Sequence, residues 1–307
     1  MPQLIAAFEN DLCEMAEEEL RTRGIPLWPW KQARRRERIQ SLRQILTVRH
    51  RLIPSQPRRS AWSDTLVDRP GDQWSQEAFR IATESEDGLD LNHYLSSGLR
   101  RAAPDAQLND WGLTHLHLGG RQEGKPFSLR SDELLFVVVR PDTVYFVDIG
   151  THGSFSALTL FETVHRNWPQ LLSRGRLPDN VSADSLSDLE RATLRKKGAN
   201  AITTTADGTA YIAPGLGQAA SGVSTWAVMM ADRMVDDARQ FQRVCELNAA
   251  GIAKGADQLG IALTYPAEVR LIELGDQFVA YLPAAQLKIW GERGASTLKM
   301  SGPREIP

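Results

Sequence analysis

Three histidines stand out for the chemistry that their spacing allows. His115 and His117 lie two residues apart in Thr114-His-Leu-His-Leu118, so on a strand both rings would point to one face. His152 follows a strand-like run, Val144-Tyr-Phe-Val-Asp148, in the stretch Ile149-Gly-Thr-His-Gly-Ser-Phe155. Imidazole has an ordinary pKa of about 6.5 and can take or give a proton near neutrality, which suits paired acid and base steps. Two other readings stay open. His-x-His on a strand can ligate zinc, with Asp148 or His152 adding ligands, and half-buried histidines satisfied by backbone carbonyls carry no chemistry at all.

The elements that must position these residues are readable nearby. Leu134-Leu-Phe-Val-Val-Val139 and Val144-Tyr-Phe-Val-Asp148 flank Arg140-Pro-Asp-Thr143, whose proline and aspartate are turn residues, so the pair predicts an antiparallel hairpin. A strand entering through residues 109–118 and a helix over residues 158–172 complete this region. His165 falls on that helix, close to a stop imposed by Pro169.

The segment from Ser128 to His152 resembles the core hairpin of RelE/ParE-superfamily toxins, the YafQ-like ribonucleases in particular. There an aspartate, here Asp132, precedes a Leu-Leu strand, and the next strand ends in Gly-Thr-His, here Gly150-Thr151-His152. His117-Leu-Gly-Gly120 matches the family's histidine-leucine-x-glycine before the same hairpin. Ser128 stands where those enzymes have a further histidine, and the resemblance covers about residues 106–172 only. It implies a metal-independent endoribonuclease, a toxin or defence effector, with His117 and His152 as the acid/base pair and Asp132 as their carboxylate partner. His115, Lys125, Arg130 and Arg121 would then bind substrate. No cofactor is expected. The implied partners are RNA, free or ribosome-bound, an antitoxin or other inhibitory protein, and a second copy of the chain. The alternatives are a non-catalytic binding module of the same fold acting on a protein or nucleic acid, and a zinc-dependent hydrolase.

The rest of the chain sets bounds. With 307 residues, 42% of them hydrophobic, it can bury a sizeable core, and the formal net charge of -2 leaves the choice of partner to local charge distribution. Cys13 and Cys245 are the only cysteines, too few for a disulfide framework. No long apolar run is present, and Glu9, Asp11 and Glu14 occupy the place of a signal peptide's basic residues, so a cytoplasmic protein without a membrane partner is expected.

Residues 3–23 read as an acidic amphipathic helix, followed by a basic run from Lys31 to Arg59 with Glu37 as its lone acid. Arg34, Arg35, Arg36 and Arg38 could grip nucleic acid, or the run could pair with the acidic helix. Short helices are expected near residues 74–83 and 91–100, and a more polar one over 180–197. Asp207-Gly208 predicts a hairpin within 201–212, and Gly275-Asp276 predicts another between 269–274 and 277–282. Gly215-Leu-Gly217 precedes a long helix over 223–250, with Ser221 as its cap and Met229, Met230 and Met234 in the core. The glycines read as a turn more readily than as a phosphate loop. The resulting fold class is α+β: a RelE-like small antiparallel sheet with flanking helices, a helical N-terminal region and a second α+β domain. Expected boundaries are 1–60, a connector over 61–105, the RelE-like part over 106–175, and 176–307.

Overall fold

A computed structural model of the chain describes residues 2–28, 35–120, 124–181, 186–219, 222–274, 277–292 and 297–301. The protein is mixed α+β with several separate sheets. In chain order the elements are β1 (Leu4–Ala6), α1 (Phe8–Thr22), α2 (Arg35–Arg51), β2 (Arg59–Trp62), α3 (Asp64–Val67), α4 (Gln73–Glu86), α5 (Ala106–Trp111), β3 (Thr114–His117), β4 (Glu133–Val139), β5 (Thr143–Thr151) and α6 (Leu158–Asn167). They continue with α7 (Asp188–Lys196), β6 (Ile202–Thr204), β7 (Ala210–Ile212), α8 (Thr225–Leu247), α9 (Ala249–Gln258), β8 (Ala267–Leu274), β9 (Gln277–Leu282), β10 (Leu287–Glu292) and β11 (Lys299–Ser301). Among the described residues no helix is long and apolar enough to cross a membrane. The chain divides into two compact units, residues 47–228 and residues 1–46 with 229–307. The stretches expected as connector and RelE-like part thus lie in one unit.

In the unit of residues 47–228 a four-stranded sheet has the order β2-β5-β4-β3. The predicted hairpin is there: β4 and β5 pair antiparallel, and the Arg140 N–H closes the turn on the Thr143 carbonyl at 2.9 Å. A bulge between Phe136 and Val137 leaves Val147 as the extra residue. The Val147 carbonyl accepts from the buried Ser63 hydroxyl at 2.6 Å. β3 pairs antiparallel with β4, and β2 runs parallel to β5 at the far edge. Leu134, Phe136, Val138 and Val147 pack with Leu160, Phe161 and Val164 of α6 in the core, beside Trp111. α6 ends at Asn167, short of the expected 172, because Pro169 cannot donate to the helix and disfavours helical backbone at Trp168. Residues 169–175 form a 3₁₀ turn instead.

In the other unit a five-stranded sheet has the order β1-β8-β9-β10-β11. The helix expected over 3–23 begins only at Phe8, because Leu4–Ala6 pairs parallel with β8. Asp11 ties the next helix to the same strand: its carboxylate accepts from the Leu271 N–H at 2.8 Å and from Arg270 Nε at 2.6 Å. Phe8, Phe241 and Phe278 meet in series at tilted angles, with ring centres 5.5 and 5.6 Å apart.

Other expectations need correction. Residues 91–100 form two short 3₁₀ turns, the second capped by the Ser96 hydroxyl. The long helix breaks at Asn248 into α8 and α9. Met229 is exposed and Met230 and Met234 half-buried, while Ala231, Val235, Ala238 and Phe241 fill the core face. Ser221 lies outside the described residues. The hairpin of β6 and β7 forms as expected, with Gly208 at φ +86° supplying the left-handed turn position.

Candidate active site

Strand pairing decides where the histidines go. His115 pairs with Phe136 and His117 with Leu134, so both rings share the face that packs on α6, while Leu116, opposite Leu135, points the other way. Burial follows: His115 and His117 are only 8% and 6% exposed. β5 then delivers His152. The Ser154 hydroxyl accepts the Thr151 N–H at 3.1 Å, and the Thr151 hydroxyl accepts the Gly153 N–H at 3.3 Å. This reciprocal cap starts a 3₁₀ turn over His152–Ser156. Gly150 makes room for it, since a Cβ there would lie 2.7 Å from Ser154 Oγ and 3.2 Å from the Phe136 ring. The turn brings the His152 ring centre within 5.6 Å of His117, itself 6.0 Å from His115. Phe155 meets His115 and His152 edge-on at 4.8 and 5.7 Å.

A cavity of about 750 Å³ opens beside this cluster, its wall including His115, His152, Asp105, Arg51, Arg130 and Lys196. His117 is not part of the wall. Asp105 caps α5 by accepting the Leu108 N–H at 3.1 Å, and its other oxygen lies 3.4 Å from His115 Nδ1. That approach is an ion-pair distance without hydrogen-bond alignment, so Nδ1 stays a buried atom with no hydrogen bond. Gln107 and Arg195, on the same wall, also carry buried side-chain atoms that lack partners, as does His117 Nδ1. Buried polar atoms are almost always satisfied, so such a group beside one cavity marks a place built to meet polar atoms.

Burial sets the protonation states. It pushes His115 below the ordinary imidazole value, opposed by the Asp105 carboxylate and reinforced by the charges of Arg51 and His152. His117 falls to about 4, chiefly through burial, then through His115 and His152, against a hydrogen bond to the Ser131 backbone that favours the cation. Both rings are therefore neutral at pH 7.

The segment carrying Asp105 is locked by a buried ion pair. Arg195 Nε donates to Asp110 Oδ2 at 2.7 Å, and its guanidinium lies 3.9 Å over the Trp111 ring. The same guanidinium donates to the Phe155 carbonyl and, at 3.3 Å, to the Ser156 hydroxyl. Arg191, 1% exposed, adds a bond to the Ser156 carbonyl at 3.1 Å. Helix α7 thus ties the lead-in to β3 to the turn that follows His152.

No family model, curated protein or solved structure matches this chain.

Of the residues singled out in the sequence, His115, His117 and His152 come together, and Arg130 is exposed on the cavity wall. Asp132 does not join them: it is exposed at the bend before β4 and makes no hydrogen bond or ion pair with a described histidine. Lys125 is exposed and off the cavity wall. Arg121 and Arg34 lie outside the described residues, as do the side chains of Arg35, Arg36 and Arg38 on α2. Farther along the basic run, Arg43 pairs with Asp232 at 3.1 Å and Arg59 with Asp142 at 2.9 Å, while Arg51 and Arg58 are buried and donate to backbone carbonyls. Among the described residues no three His, Cys, Asp or Glu side chains are grouped to hold a metal ion. Asp148, considered as a zinc ligand, accepts its own neighbour's Ile149 N–H at 2.8 Å. Sequence reasoning missed Asp105, Arg51 and Arg195. Only Asp105 left a signal, as the cap residue in Pro104-Asp-Ala-Gln-Leu108.

Two measurements check this site. Arg195→Leu strands the Asp110 carboxylate and should cost about 3–5 kcal/mol in urea denaturation, with Asp110→Leu/Arg195→Leu less destabilised than the single variant. His117 binds its proton more weakly when folded (about 4) than when unfolded (about 6.5), so acidification through that window favours the unfolded chain. Stability should fall by up to about 1.4 kcal/mol per pH unit between these values on account of His117, and His117→Asn should flatten the slope.

Proposed function

We propose that the histidine cluster cleaves RNA by metal-independent transesterification, in a protein that acts as a RelE/YafQ-like toxin or defence effector. The observation that carries this reading is the shared cavity wall, where His115 of β3 and His152 of the turn after β5 border a space together with Arg51, Arg130 and Lys196. Cations beside proton-transfer groups suit a phosphodiester, whose charge rises in the pentavalent transition state. The antiparallel β3-β4-β5 arrangement with α6 behind it agrees with the resemblance of the hairpin to that superfamily.

The roles follow from burial and position. His115, neutral at pH 7 and backed by Asp105, takes the proton of a ribose 2'-hydroxyl. The 2'-oxygen attacks phosphorus, the bond to the 5'-oxygen breaks, and His152 gives that leaving oxygen a proton. The products are a 2',3'-cyclic phosphate and a 5'-hydroxyl. His117, held neutral between the two rings, positions them; this departs from the expected His117/His152 pair. Asp105 takes the part expected of Asp132.

A second reading, a non-catalytic module that grips a protein or nucleic-acid partner, is favoured by the exposed Asp132, which leaves the histidines without the carboxylate implied by the resemblance. Controlled expression of the chain beside His152→Ala and His115→Gln, following growth and RNA integrity, separates the two. The nuclease reading expects growth arrest with fragmented RNA, lost by at least about a hundredfold in either variant. Arrest in all three with intact RNA would favour the module instead.

A further inference from the structure

A second cavity, of about 850 Å³, lies in the same unit; its lining among the described residues includes Arg49, Arg51, Arg58, Arg140 and Arg174 and no Asp or Glu. Arg51 and Arg58 are 6% and 4% exposed. Arg58 donates to the carbonyls of Pro54, Gln56 and Arg140, Arg51 to that of Ala103, and Arg140 to those of Val139 and Leu171. These carbonyls take only some of each guanidinium's five donors and bring no countercharge. Among the described residues none of Arg51, Arg58, Arg140 and Arg174 has a carboxylate within ion-pair distance. Burial pulls Arg51, Arg58 and Arg140 below the ordinary guanidinium value, opposed at Arg51 by the Asp105 carboxylate, and the Arg174 charge presses further on Arg140. A concave wall of one sign, partly removed from water, concentrates anions.

The wall also carries an aromatic pair. His50 and Trp226 stack with ring centres 4.7 Å apart and planes inclined by 16°, and His50 Nε2 is buried without a hydrogen bond. The Gly215-Leu-Gly217 loop borders the cleft, but its amides are spent: Gly215 donates to the Asp110 carbonyl at 2.9 Å and Gly217 to that of Asn109 at 2.6 Å. Anion recognition here must come from the arginines, whose forked donors match phosphate oxygens.

We propose that this cleft is a second site, for a nucleoside phosphate. Its arginines take the phosphates, and its aromatic wall together with Leu108 and Leu216 takes the planar base. The volume suits a ligand of that size. Its lining differs from that of the histidine cavity except at Arg51, which borders both.

Calorimetric titration of the full chain with ATP, GTP, CTP and UTP tests this, with inorganic triphosphate and the free nucleosides as controls. At least one nucleotide should bind one-to-one and more tightly than triphosphate, and the nucleosides should not bind. Arg174 is exposed, so Arg174→Glu should keep its melting temperature and lose about tenfold in affinity, whereas His152→Ala should bind as the wild type does. No binding by any of the four nucleotides, equal binding of triphosphate, or affinity unchanged in Arg174→Glu would each overturn the proposal. The readout needs no turnover, so it stands or falls separately from the nuclease reading.

Discussion

The histidine cluster depends on a buried ion pair that touches none of its rings. Arg195 reaches from α7 across the Trp111 ring to Asp110 and onward to the Phe155 carbonyl. One end of that contact precedes β3, which carries His115 and His117; the other follows His152. Two rings approach through strand pairing, and the third arrives through a loop, which has no ladder of its own to hold it. The guanidinium supplies what the ladder does not. An ion pair this deep gains little net stability over apolar packing, because burial pushes the Asp110 carboxyl up and the Arg195 guanidinium down. Its effect is one of placement: each unshared charge would be costly, so the two segments are held in the one arrangement that pairs them.

Burial also sets the three histidines apart. His117 has its protonation suppressed by burial and does not border the cavity that His115 and His152 share. His115 combines cavity access with a carboxylate neighbour. His152, half-buried in the turn that follows β5, borders the same cavity. Arg51 lies between the two cavities, and its bond to the Ala103 carbonyl steadies the chain just ahead of Asp105.

What could be read from the sequence was what local chemistry fixes. The β4–β5 hairpin was legible because an apolar run, a proline-aspartate turn and a second run agree within a short stretch. The histidine faces of β3 were legible from their two-residue spacing. β1 and β2 were not, because each is a strand only through parallel pairing with a distant segment, Leu4 with Ala267 and Arg59 with Thr143. Leu4-Ile5-Ala6 fits a helical apolar pattern as well as a strand, and tertiary pairing decided. Asp105 could be seen as a helix cap but not as the neighbour of His115, since that approach depends on how α5 turns into β3. Asp132 shows the converse: adjacency to β4 in sequence leaves a side chain free to point into solvent.

The most direct test of the central claim is the chemistry of the cut ends. Purified full-length chain would be incubated with a defined RNA oligonucleotide in excess EDTA, and the fragments weighed by mass spectrometry. The account predicts 2',3'-cyclic phosphate and 5'-hydroxyl ends, with no cut where a 2'-deoxy residue replaces the attacking ribose. Ends carrying a 3'-hydroxyl, or an RNA left whole, would contradict it.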